Sequence, residues 1–224
     1  MNNLPVYIPI VFLLTTLLTI YIFFKAANNS KAFLFILLTW ITIQSIIALT
    51  GFYTITNTFP PRFLLLVIPP LLFIIGLFAT KKGRQFLDNL DIKLLTLLHI
   101  VRIPVEIVLF WLFINNAVPE LMTFEGRNFD IISGITAPII YHFGFIKQNL
   151  NKNIILLWNI ACIGLLINIV ANAILSAPTP FQKFAFDQPN IGILYFPYNL
   201  LPGCVVPLVL LSHLATIRKL LKSR

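Results

Sequence analysis

The stretch LLHIVRIPVEIVLFWLF (97–113) is almost wholly Leu, Ile, Val and Phe, yet it holds His99, Arg102 and Glu106. An α-helix turns ~100° per residue, so from His99 the other two fall at about 300° and about 340°. All three share one face within a ~60° arc. Arg102 and Glu106 stand at i, i+4 spacing, which lets them meet directly. The helix has one narrow polar stripe and no wet face. The stripe must therefore turn into a helix bundle, with lipid around the rest.

The whole chain supports that reading. Of 224 residues, 58% are hydrophobic and only 10% charged. A soluble domain carries about 25% charged residues. The hydrocarbon core, ~30 Å thick, takes ~20 apolar residues as a helix. Seven such segments follow: 4–24, 32–53, 62–80, 94–115, 130–146, 154–176 and 192–215. The chain is expected to be a single all-α, polytopic, seven-helix membrane domain. The first segment lacks a basic lead-in and exceeds the usual apolar length of a signal peptide, so a retained helix is expected.

The net charge of +9 could suggest nucleic acid, but its distribution points to the bilayer. Loops on one side hold twelve basic residues: Lys25, Lys31, Lys81, Lys82, Arg84, Lys93, Lys147, Lys152, Arg218, Lys219, Lys222 and Arg224. The other side holds three, Arg62, Arg127 and Lys183, while Arg102 lies within a helix. Positive charge marks the cytoplasm. The split predicts an external N-terminus, a cytoplasmic C-terminus and a place in the plasma or bacterial inner membrane. The partner it implies is the lipid bilayer and not nucleic acid. The inner loop KKGRQFLDNLDIK (81–93) has the composition of a basic segment lying on anionic lipid.

Charged groups within a membrane are functional candidates by default. Arg102 and Glu106 are therefore candidate catalytic groups. The chain has three histidines, each five or six residues from a basic residue at the cytoplasmic boundary: His99 after Lys93, His142 before Lys147, and His213 before Arg218. That spacing puts all three ~8–9 Å inside the boundary. Three converging imidazoles with an open position would suit a catalytic zinc ion and its activated water. Glu106, two turns deeper on the face of His99, would then serve as relay rather than ligand. Axial haem ligation by two histidines is a weaker alternative, with no haem motif behind it. The alternative to any site is three separate packing histidines.

Seven helices, an outer N-terminus and three histidines near the cytosolic side resemble, in architecture, the membrane zinc amidases of the alkaline ceramidase type. That family carries an HxxxH pair on its last helix; here the last helix, LSHLATIRKL (211–220), has a single histidine.

Other polar positions lie toward the outer side. The loop NNAVPELMTFEGRNFD (115–130) offers Glu125, Arg127 and Asp130. The sixth helix spaces Gly164, Asn168, Asn172 and Ser176 four apart, the usual pattern of helix-packing contacts and a second source of substrate contacts. Cys162 and Cys204 lie in separate helices and suit buried small residues. Prolines at 69, 70, 104, 138, 197, 202 and 207 suit packing kinks or broken helices around a site. The leading expectation is a membrane-embedded, metal-dependent enzyme acting on a lipid or lipid-linked substrate. The alternatives are a small-solute or ion transporter built on the Arg102–Glu106 pair, and a structural subunit of a membrane complex.

Overall fold

The structure, a computed structural model, describes residues 4–222; Arg224, one of the twelve basic residues above, lies outside the described residues. All regular elements among the described residues are helical. They are α1 (Tyr7–Ala26), α2 (Lys31–Leu49), α3 (Leu64–Ala79), α4 (Lys81–Asn89), α5 (Ile92–Leu98), α6 (Arg102–Ile114), α7 (Ile131–Tyr141), α8 (Lys152–Ser176) and α9 (Val206–Lys222). A 3-10 turn, His99–Val101, joins α5 to α6 into one rod, Ile92–Ile114. A π-turn, Leu201–Val205, leads into α9, and another, His142–Ile146, follows α7.

Five helices among the described residues are long and apolar enough to cross a membrane: α1, α2, Ile92–Ile114, α8 and Leu201–Lys222. A sixth arises if α3 and α4, bent by 94°, count as one broken span. The stretch Ile131–Ile146 is apolar but shorter. Boundaries differ from expectation most at the last helix. Residues 192–200 are mostly irregular, and the continuous helix starts at Leu201. Pro197 and Pro202 each lack the N–H that helix continuation uses.

The 94° corner between α3 and α4 has a local cause. Thr80 caps α4, its hydroxyl accepting from Gly83 N at 3.1 Å. Arg84 returns to donate to the carbonyls of Phe78 and Ala79, at 3.1 and 3.0 Å, which the end of α3 leaves free. A Cβ at Gly83 would sit 2.3 Å from the carbonyl oxygen of Leu77, so only glycine permits so tight a return.

Ser30, Asp91 and Asn151 cap α2, α5 and α8 in the same way. These caps lie at one end of the bundle, which is also the basic end. There Asp91 N donates to Ala26 O, and the Asn28 amide donates to Asn89 O. Asp88 on α4 receives Arg218 at 2.9 Å and Lys222 at 2.6 Å from α9. These two cations hold the Asp88 carboxyl down at about 2. At the opposite end the loops 115–130 and 177–200 lock together. Gly192 N donates to Ala117 O, and the Gln188 amide bridges to the carbonyls of Phe113 and Val118.

Ile92–Ile114 and Leu201–Lys222 are the most buried of the long helices, and α2 the least. The main core joins Ile8 and Phe12 of α1, Leu95 and Leu98 of α5, and Leu208 and Val209 of α9. The outside of the bundle is apolar as well, with Leu14, Phe35, Leu49, Leu72 and Ile167 exposed. That arrangement suits a lipid environment rather than water. Pro207 has no N–H to offer the carbonyl of Gly203. The indole of Trp40 on α2 donates to that oxygen at 2.8 Å instead.

Candidate functional site

The polar stripe of the central rod is buried throughout: His99 is 0% exposed, Arg102 3% and Glu106 2%. Pro104 has no N–H for the carbonyl of Ile100, and the chain tightens there into the 3-10 turn that carries His99. Arg102 opens α6. Helix α7 crosses at this point. A Cβ at Gly134 would stand 2.8 Å from Ile103 Cγ1 and 3.3 Å from Arg102 Cβ, so glycine lets the helices touch. Asp130 lies one turn earlier, at the start of α7.

That crossing decides the ion pair. The Arg102 Nη1 meets Asp130 Oδ1 at 2.5 Å. The i, i+4 spacing would have allowed a pair with Glu106, but among the described residues Arg102 and Glu106 form no salt bridge. Glu106 Oε1 instead receives the Asn128 amide at 2.6 Å. The same amide donates to Met122 O at 3.0 Å, and Asn128 Oδ1 accepts from Asp130 N at 3.0 Å. Asn128 is fully buried and links the two carboxylate residues. The loop 115–130 thus runs into the bundle rather than over it, with Met122, Thr123 and Asn128 buried.

Arg102 makes a second contact, Nη2 to His213 Nε2 at 3.1 Å. A guanidinium only donates, so His213 Nε2 must be the bare nitrogen of the ring. Its other nitrogen, Nδ1, lies 2.8 Å from Asn159 Oδ1 and carries the proton. Asn159 is oriented by its own amide, which donates to Ile155 O at 2.8 Å. His213 is therefore held as one neutral tautomer between an arginine and an asparagine. His99 stacks on it, ring centroids 3.7 Å apart and planes 11° from parallel. The edge of Trp158 packs against both rings, at 5.6 and 5.7 Å.

The structure brings two of the three histidines together. His142, on the π-turn after α7, is exposed, and its ring packs against Phe143. Among the described residues no group of three His, Cys, Asp or Glu side chains is arranged to hold a metal ion. His213 in particular offers no open lone pair, since Arg102 faces its bare nitrogen. A zinc ion bound there would displace that cation.

The remaining candidates lie apart from this centre. Glu125 and Arg127 are exposed, with Arg127 over the ring of Phe184 at 5.4 Å. Asn168 donates to the backbone of Arg127 and ties α8 to the loop 115–130, while Asn172 donates back to Asn168 within α8. Cys162 and Cys204 are free thiols, both buried. Asn128 and Asn159 belong to the centre but have no advance signal of chemistry. Asn128 sits in a loop, and Asn159 lies off the four-residue spacing of Gly164, Asn168, Asn172 and Ser176 along α8.

Among the described residues several buried polar atoms in the centre have no protein partner: both nitrogens of His99, Arg102 Nε and Glu106 Oε2. Native interiors seldom leave so many. Glu106 and Asp130 also line a cavity of about 90 Å³. Its other walls are apolar, among them Phe63 and Val67 at α3, Leu109 on α6, and Leu166, Ile169 and Val170 on α8. The centre can thus present two carboxylates, one of them paired to a guanidinium, to an apolar space.

No curated protein and no solved structure matches the chain. A family model does match residues 59–221, nearly three quarters of the chain, and that stretch includes Arg102, Glu106, Asn128, Asp130, Asn159 and His213. The chain belongs to the family described as Domain of unknown function (DUF8737).

Proposed function

We propose that this protein crosses the plasma or bacterial inner membrane seven times, N-terminus outside and C-terminus inside, and is an enzyme acting on a lipid or lipid-linked substrate. The seventh crossing would be made by the short apolar stretch Ile131–Ile146, and the sixth by α3 with its interfacial tail α4. The twelve-to-three distribution of basic residues supports the orientation. Reporter fusions after Arg84 and Arg224 should read cytoplasmic, and one after Arg127 external. An external C-terminus would overturn the seven-span count.

The activity reading rests on one observation. Glu106 and Asp130 stand at the wall of an otherwise apolar cavity within the bundle. Pockets of this make-up, apolar walls with a few convergent polar groups, are the usual form of a small-molecule site. Glu106, with Oε2 free, would serve as general acid or base. Arg102 would position Asp130 and His213. The test is to incubate the purified protein in nanodiscs with a total membrane-lipid extract and follow species by mass spectrometry. Wild type should convert a lipid class that Glu106→Gln leaves unchanged.

Transport is a second reading. The 3-10 turn at His99–Val101 and the π-turn at Leu201–Val205 lie in the two central helices beside the buried charges. Both helices stay continuous through these turns, but irregular helix geometry beside a charged site is a feature shared with transporters. Movement of an amphiphile across liposomes, with no chemical change in it, would favour transport over catalysis.

A further inference from the structure

We infer that the cavity between α3, α6 and α8 takes the head of a cationic, hydrogen-bond-donating amphiphile, a long-chain primary amine, with the ammonium on Glu106 and the chain leaving between α3 and α8. This rests on the lipid-site reading above and names its ligand class.

The polar residues lining the cavity are both acceptors. Glu106 and Asp130 are carboxylates, and every other lining side chain is apolar. The donors that touch the two carboxylates are already engaged. Arg102 Nη1 and Nη2 are on Asp130 and His213, and the Asn128 amide is on Glu106 Oε1 and Met122 O. Arg102 Nε is free, but Arg102 does not line the cavity. Of the two carboxylates, Glu106 is the one with no cation on it: it lines the space, is 2% exposed, and its Oε2 has no protein partner among the described residues. A ligand must therefore donate. A carboxylate or phosphate head would meet two carboxylates and no free donor.

Charge points the same way. His213 is neutral by its hydrogen bonds, and one guanidinium faces two carboxylates. With Arg102 committed to Asp130, an ionised Glu106 has no cation of its own. A charge in this setting is stabilised by pairing. A primary ammonium supplies both the charge and the donors. A quaternary ammonium supplies the charge alone, and an alcohol a donor alone.

The walls fit the rest of such a molecule. Val67 of α3 and Val170, Ala173 and Ile174 of α8 line the cavity and are only half-buried. Helix α3 packs on α4, on the π-turn at Leu201–Val205 and on α9, whereas α8 packs chiefly on α9. Half-buried apolar side chains of both helices thus offer the chain a path from the cavity toward the outside of the bundle. A cavity of about 90 Å³ holds a head and the first carbons, with the remaining chain in the bilayer.

The experiment uses full-length protein in phosphatidylcholine nanodiscs and a radiolabelled long-chain primary amine, with empty nanodiscs as background. Competitors of equal chain length are the unlabelled amine, the alcohol, the trimethylammonium and the carboxylate. Saturable binding is expected, with the amine competing at concentrations about tenfold or more below the alcohol, the scale of one charge-assisted hydrogen bond. The trimethylammonium should be weaker than the amine, and the carboxylate should not compete. Glu106→Gln should remove the preference for amine over alcohol. Ile169→Trp, which fills the cavity and leaves Glu106 in place, should remove binding altogether. The competition series on wild type decides the matter even where a variant fails to fold. Equal competition by alcohol and amine would mean that Glu106 carries a proton; the inference then falls while the lipid site stands. Preferred competition by the carboxylate also overturns it. No saturable binding of the labelled amine overturns the inference, and the lipid-extract assay then decides the lipid-site reading separately.

Discussion

The guanidinium of Arg102 meets Asp130, 28 residues along the chain, at 2.5 Å, and not Glu106 one turn away on its own helix. Removing one partner of a buried pair costs ~3–5 kcal/mol, because the other charge is left alone. Asp130→Asn should therefore lower thermal stability in nanodiscs by an amount of that order. Asp130→Asn combined with Arg102→Met should recover much of the loss. Glu106→Gln should cost less, since the Asn128 amide can still donate to the new carbonyl. A greater loss from Glu106→Gln than from Asp130→Asn would show Glu106 to be the true partner of Arg102.

The tautomer of His213 is set by Asn159 on one side and Arg102 on the other. Nitrogen-15 spectra of histidine-labelled protein should show His213 protonated at Nδ1 and bare at Nε2. Asn159→Leu removes the acceptor while keeping the size, and should cost ~1–3 kcal/mol for the stranded N–H. A proton found on Nε2 in wild type would contradict the contact with Arg102.

Two glycines give a paired test of the crossing between α6 and α7. A Cβ at Gly134 would lie 2.8 Å from Ile103 Cγ1 and 3.1 Å from Ile103 N, whereas one at Gly164 meets nothing within 4 Å. Gly134→Ala should destabilise by ~1–3 kcal/mol through overpacking. It should also disturb the Arg102–Asp130 pair one turn away. Gly164→Ala should be neutral or stabilise by up to ~1 kcal/mol through helix propensity. Equal melting temperatures for the two variants would mean that the helices do not touch at Gly134.

Asp88 predicts a pH dependence at the basic end. Hydrogen bonds from Arg218 and Lys222 lower its carboxyl from an ordinary 3.8 to about 2. A carboxyl lowered in the folded state binds its proton less tightly than in the unfolded chain. Its contribution is thus complete above about pH 4 and is lost as pH falls toward 2. Partly exposed pairs of this kind are worth ~0.2–1 kcal/mol each. Asp88→Asn should lower stability by about that much at neutral pH and flatten the acid limb of the stability curve below pH 4. An unchanged acid limb would mean that the Asp88 pairs add nothing to the hold of α9 on α4, leaving packing and the Lys219 contact to Leu90 O.

What the sequence by itself determined was the helical, lipid-compatible character of the chain and the inward face of its central helix. Both follow from local rules. Apolar runs set helix length against the bilayer, and the ~100° turn per residue puts His99, Arg102 and Glu106 on one face whatever surrounds them. Even there, prolines moved the start of the last helix, and Gly83 with Thr80 added a corner that hydropathy does not register. Tertiary structure alone decided which side chains meet. Spacing along one helix allowed Arg102 to pair with Glu106, and similar depth allowed three histidines to converge. The crossing at Gly134 gave Arg102 to Asp130 instead, the fold of loop 115–130 into the bundle brought Asn128 to Glu106, and the packing of α8 on α9 set Asn159 against His213 while His142 stayed outside. The physical reason is that a buried charge takes whichever partner the packed backbones bring within hydrogen-bond reach, and that depends on contacts between segments far apart in the chain.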